Sequence, residues 1–205
     1  MKTKLERLIL GSILAPIAPL ACLMAGWWAT YYLLPEHWIF LGAIIGFALG
    51  ILADIPLLKK LLHNTASLGN PFWMAVFLFY SAGMFGFFMG VPLFNLLLSL
   101  PAGFVLGDRL LGVKADEFHI RTASQRAAAF TTTVLFLVCI ASATFALIDP
   151  YTEANLQGML GLPFNVTRGM VIGIIVIGGA GLLILNWWFT VLSARASYKI
   201  LQRLA

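Results

Sequence analysis

Six stretches of this chain are long and apolar enough that a lipid environment is the natural medium for them. Residues 8–34, 38–58, 72–89, 92–111, 127–148 and 169–192 each come close to or exceed the roughly twenty apolar residues a helix needs to cross the hydrocarbon, at about 1.5 Å per residue. Inside hydrocarbon no water satisfies a peptide group, so each run must close its own hydrogen bonds as a helix. Composition agrees. The chain is 61% apolar and 10% charged, against about half and a quarter in soluble proteins, which excludes a soluble core. The expected fold is an all-α integral membrane protein, a single polytopic domain over residues 1–205 with six transmembrane helices.

The basic residues give this arrangement an orientation. Lys2, Lys4 and Arg7 precede the first run; Lys59 and Lys60 follow the second; Arg109, Lys114, Arg121 and Arg126 separate the fourth from the fifth; Arg195, Lys199 and Arg203 follow the sixth. Of the thirteen Lys and Arg, only Arg168 falls on the opposite side. Lys and Arg stay in the cytoplasm, so both the N-terminus and the C-terminus are expected there, in a bacterial or archaeal inner membrane. Aromatic residues support this: Trp27, Trp28, Tyr31, Tyr32 and Trp38 mark the outer interface, and Trp73, Trp187, Trp188 and Tyr198 the inner one. The net charge of +5 is divided among short segments beside apolar helices. Membrane lipid accounts for it, and no nucleic acid is expected as a partner.

The first run follows a basic start and so imitates a signal peptide, but its apolar character continues to Leu34, too far for a signal core. Pro16 and Pro19 remove backbone donors and predict a kink in its cytoplasmic half. Cys22 and Cys139 lie in separate apolar runs and read as packing residues, with no disulfide or thiolate metal site.

The connections differ in length. Gly90, Val91 and Pro92 turn the third span into the fourth so tightly that the two helices must be antiparallel neighbours. The segment 112–126 ends in Thr122, Ala123, Ser124 and Gln125, a capping-box pattern expected to start the fifth helix. The outer segment 149–167 carries Leu156, Met159, Leu160, Leu162 and Phe164 among polar residues, a pattern expected to form a short helix on the outer surface. That segment either covers an outer-facing cavity bordered by Asn95, Tyr80 and the start of the sixth span near Arg168, or rests on lipid headgroups. The sequon-like Asn165, Val166 and Thr167 are too short a motif to carry weight. Three spans followed by three of reverse sense also match the geometry of an inverted repeat, without residue-level similarity between the halves.

Small residues predict close helix contacts. Gly42, Gly46 and Gly50 clear one face of the second span; Ala82, Gly86 and Gly90 form a similar stripe on the third, and Gly169 and Gly173 open one on the sixth. Each stripe serves packing within the chain or docking of a partner. Asp54 lies one turn beyond Gly50, where an ionisable group is a site candidate or, being near Lys59 and Lys60, an interfacial anchor. Asn95 sits between Pro92 and Pro101, positioned to bind a ligand or to bond a neighbouring helix. Tyr80, Ser81, Asn186 and Arg168 complete the candidate ligand-binding set, while residues 131–133, Ser142 and Thr144 are ordinary polar groups in a span. Asp108 and Arg109 read as a surface ion pair.

Absences narrow the function further. His37, His63 and His119 all fall in loops or at the membrane surface, which disfavours haem, and no phosphate loop, nucleophile elbow or helical metal motif occurs. No catalytic residue, cofactor or metal is expected. The leading expectation is a transport-type protein binding a neutral or weakly polar small molecule between its helices. Six spans, cytoplasmic ends, glycine faces and an outer covering segment resemble, in architecture alone, the substrate-binding subunits of energy-coupling-factor vitamin transporters, which implies a larger transporter as partner. Two other readings stay open: a non-catalytic membrane subunit or homo-oligomeric scaffold, and a lipid-modifying enzyme gathering Asp54, Asp108, Arg109, Asp116, Glu117 and His119 at the inner surface.

Overall fold

The computed structural model describes residues 4–65, 68–88 and 90–204. Lys2 and Met89, which the sequence reading used, lie outside these. The chain is all-helical, with 86% of it in helix and no strand among the described residues. Five helical stretches are long and apolar enough to cross a membrane: Lys4–Leu33, Glu36–His63, Leu93–Gly112, Glu117–Ile148 and Arg168–Leu204. The helix expected as the third span is present as Asn70–Phe87, only 18 residues, and is not among the five. It carries no charge, but Asn70, Pro71, Tyr80 and Ser81 dilute its apolar character. Large side chains such as Phe40, Leu52, Ile177 and Leu192 are exposed, the exterior of a membrane protein.

Contacts divide the chain into two units, Met1–Phe72 with Leu204–Ala205 and Trp73–Arg203. In the first, helix α1 (Lys4–Leu14) ends just before Pro16, and α2 (Ile17–Leu33) begins just after it. Proline has no N–H to continue the ladder, so the expected kink becomes a break. A 3-10 turn, Glu36–Trp38, leads into α3 (Ile39–His63). Helices α2 and α3 meet through glycine. A Cβ on Gly46 would overlap the Cys22 carbonyl, one on Gly42 would overlap Thr30, and one on Gly50 would lie 2.5 Å from the Pro19 Cα. Gly26 on α2 completes the contact against the Gly42 carbonyl. Two backbones approach this closely only where side chains are missing.

The second unit contains α4 (Asn70–Phe87) from Trp73 onward and the helices that follow, α10 as far as Arg203. Gly90, at φ 78°, closes α4 by donating its N–H to the Phe85 carbonyl at 2.8 Å, a left-handed position that glycine adopts without steric cost. Helix α5 (Leu93–Leu96) and α6 (Ser99–Gly112) follow. The next helix, α7 (Glu117–Ile148), begins earlier than the capping-box pattern suggested. Asp116 is its N-cap and accepts the His119 N–H at 2.8 Å, so residues 122–125 are already inside the helix. With no glycine or proline between 117 and 126, nothing stops the helix once Asp116 starts it. The chain ends with α8 (Thr152–Leu160), α9 (Arg168–Gly173), a π-helical turn (Ile174–Gly178) and α10 (Gly179–Leu204).

Aromatic contacts join α4 to α7, with Phe77 5.6 Å from Phe130 and Phe85 6.2 Å from Phe145 between ring centres. Helix α6 lies against α10 at Gly103 and Gly107, where an added Cβ would come 2.6 Å from Ser193 Cβ and 2.7 Å from the Ala194 carbonyl, respectively. The Ser193 hydroxyl donates to the Leu100 carbonyl across this contact at 2.6 Å.

Candidate functional site

The segment between α7 and α9 is shaped by local hydrogen bonds. Asp149 ends α7, and its carboxylate accepts from the Tyr151 N–H at 2.9 Å and the Thr152 hydroxyl at 3.2 Å, which turns the chain into α8. Gly161, at φ 60°, stops α8, with the Leu162 N–H donating to the Gln157 carbonyl at 3.1 Å. The Thr167 hydroxyl then caps α9 by accepting the Met170 N–H at 3.4 Å.

The chain returning from α8 and the first turns of the last span border an open cavity of about 550 Å³. Leu156, Leu162 and Phe164 line it from the connecting segment, and Met170, Ile174 and Ile177 from α9 and the π turn. Gly173 and Gly178 lie in the same wall, where missing side chains leave the space open. A π turn closes hydrogen bonds one residue further along the chain than an α-helix does and is frequent at functional sites. The lining presents almost no hydrogen-bonding group, so its occupant must be apolar over the buried part.

Arg168 stands beside this cavity as a strap. Its guanidinium donates to Glu153 Oε1 at 3.0 Å, to the Asp149 carbonyl at 3.5 Å and to the Leu147 carbonyl. The Glu153 carboxyl is held below its ordinary value by a hydrogen bond from its own backbone N–H and then by Arg168. The one basic residue on the expected outer side is thus committed to holding α8 against the ends of α7 and α9.

The other candidate residues are placed elsewhere. Neither Asn95 nor Tyr80 is among the residues that line this cavity. Asn95 is buried and donates its amide to the Ser81 carbonyl at 3.0 Å and the Ser81 hydroxyl at 2.7 Å, joining α5 to α4. Its Oδ1 has no partner. Tyr80 is half-buried on α4. Asn186 is fully buried and donates to Thr131 and Thr132, each at 3.1 Å, while Thr131 and Thr190 share a bond of 2.9 Å. These two clusters join helices. Asp54 is half-buried in α3, without a hydrogen bond or ion pair among the described residues.

Of the glycine stripes, Gly42, Gly46 and Gly50 face α2, whereas Ala82 and Gly86 are exposed and nothing lies within 4 Å of a Cβ built on Gly86. Gly90 serves a turn. Asp116 and His119 form an exposed pair at 2.5 Å within the start of α7, a capping contact. The backbone N–H of His119, with help from its ring, holds the Asp116 carboxyl below its ordinary value. Among the described residues no three His, Cys, Asp or Glu gather as a metal site.

Sequence reasoning missed Gly26, Thr190, the π turn and the Gly103–Gly107 contact. The four-residue spacing of Gly103 and Gly107 was the available signal for the last, matched on α10 by the small residues Thr190, Ala194 and Ser197. Comparison with protein-family models, curated proteins and solved structures finds no match to this chain.

Proposed function

We propose that this protein is a transport-type membrane protein that binds a neutral, largely apolar molecule beneath α8, and that it spans a bacterial or archaeal inner membrane six times with both ends in the cytoplasm. The apolar cavity carries this reading. Loop and span build it together, the π turn supplies part of its wall, and the Arg168 to Glu153 contact holds α8 beside it without placing a charge in the lining. An occupant of matching polarity gains from every apolar surface removed from water, at about 25 cal/mol per Å². The partition of basic residues and the aromatic belts support the six-span topology, with Asn70–Phe87 as the additional short span. A larger transporter as partner is part of the same proposal.

The test uses N-phenyl-1-naphthylamine, a neutral apolar fluorophore, with the full chain in a maltoside detergent. Saturable binding is expected in the native protein and its loss in Gly173→Phe, whose ring enters the cavity from a position with nothing within 4 Å of the new Cβ. Leu192→Trp, on an exposed position of α10, should bind as the native chain does. Equal binding by Gly173→Phe and the native protein would reject the site.

A second reading, a membrane subunit or homo-oligomeric scaffold, draws on the exposed Ala82 and Gly86 of α4, a small-residue face with nothing packed at Gly86. Native mass spectrometry of the gently extracted protein separates the two, because a small ligand and a partner chain add very different masses.

A further inference from the structure

Helix α7 has 32 residues, about 48 Å of helix against a hydrocarbon thickness of about 30 Å, so it extends well beyond the apolar layer. At the end away from α8, it and α10 border a second cavity, of about 740 Å³, whose lining is about half polar. Arg121 and Gln125 stand one turn apart on α7, and Arg195, Lys199 and Gln202 share a face of α10. The Tyr198 hydroxyl donates to the Ala115 carbonyl at 3.1 Å, which fixes the connection between α6 and α7 against α10 and closes one side.

The charges around this space are unbalanced. Arg121, Arg195 and Lys199 are all exposed, and among the described residues none of them forms an ion pair. Glu117 lines the same cavity but pairs with none of them. Three cations and one carboxylate around a shared volume repel on balance unless an anion enters. Two guanidinium forks match the paired oxygens of a phosphate group, the ammonium adds a point charge, and Gln125 and Gln202 supply neutral donors. The exposed Trp187 and Trp188 precede Arg195 by about two turns, so the cavity lies at or just beyond the headgroup layer that such residues mark. Basic pockets between spans at that level hold phosphate headgroups.

We propose that this cavity binds a phosphate-bearing anion, presented by an anionic phospholipid headgroup or by a free phosphate ester. The site shares no residue with the apolar cavity beneath α8 and stands or falls independently of it.

The test is calorimetric titration of the full chain in neutral maltoside detergent with dihexanoyl phosphatidylglycerol and, separately, inorganic phosphate. Saturable binding is expected, weakened at least tenfold in Arg121→Gln/Arg195→Gln and unchanged in Lys59→Gln/Lys60→Gln, which removes the same charge from α3. Binding of the lipid alone identifies a headgroup site; binding of inorganic phosphate, with competition between the two, identifies a site for the phosphate group itself. Absence of saturable binding by both anions overturns the proposal. Equal affinity in the Arg121/Arg195 variant, or equal weakening in the Lys59/Lys60 variant, does so too. Should circular dichroism show the double variant misfolded, Lys199→Gln replaces it, with a several-fold loss expected and unchanged affinity overturning the site.

Discussion

The guanidinium of Arg168 lies 3.0 Å from the carboxylate of Glu153 while also donating to the carbonyls of Leu147 and Asp149. One side chain therefore ties the last turn of α7 and the first turn of α8 to the start of α9. The same connecting segment lines one side of the apolar cavity with Leu156, Leu162 and Phe164.

The tether should respond to acid. The Glu153 carboxyl is held below its ordinary value of 4.5, so its contribution to order is fully present above that value and is lost as pH falls below it through the folded value. A spin label on Asn155→Cys, in a chain lacking Cys22 and Cys139, should be restrained at pH 7 and become mobile at a pH far enough below 4.5 to protonate Glu153 in the folded chain. In Glu153→Gln the mobility should be raised at both pH values. A label equally restrained in all four conditions would show that apolar packing alone holds α8.

Close approach of α2 and α3 gives an asymmetric pair of substitutions. Gly46→Leu forces a side chain into the Cys22 carbonyl, a backbone atom that cannot rotate away, and should cost about 1–3 kcal/mol or more. Leu52→Ala changes an exposed position and should stay within about 0.5 kcal/mol. Thermal unfolding of the two purified variants compares them directly. Similar midpoints would mean that the helices can separate at Gly46 without loss.

Six spans with cytoplasmic ends make a labelling prediction. Single cysteines at Asn64 and Gln125 should react with a membrane-impermeant maleimide only from the cytoplasm, and one at Asn155 only from outside. Gln125 is preferable to its neighbour Ser124, which is fully buried with its hydroxyl bonded to the Ile120 carbonyl at 2.7 Å. If Asn64 and Gln125 label from opposite sides, Asn70–Phe87 does not join two cytoplasmic segments by a return crossing and the six-span topology fails.

Local rules carried far where only one answer was available and stopped where two competed. The break at Pro16 follows from a missing N–H, and the short helix over Thr152–Leu160 from the apolar residues in a polar connection. The start of α7 was misplaced because two capping signals lie within nine residues, and the chain uses the earlier, Asp116. Asn95 and Asn186 were legible as polar groups in apolar runs, but a lone amide in a sequence does not reveal whether it meets a ligand or another helix.

The sequence by itself determined that this chain is helical and suited to a membrane, because apolar length and the need to satisfy every peptide group leave hydrocarbon no other solution. It also marked the glycines of α3 as a face cleared of side chains. Only the tertiary structure decided what met that face, and that Asn186 meets Thr131, Arg168 meets Glu153 and Gly103 meets Ser193. Those pairings depend on how far each helix is rotated about its own axis, since a turn of about 100° per residue decides which side chain faces a neighbour. In lipid that rotation is not set by hiding apolar residues from water, because both faces can be apolar; it is set by shape and by a few polar bonds between distant residues. The π turn at Ile174–Gly178 shifts the register once more, within the stretch that lines the apolar cavity.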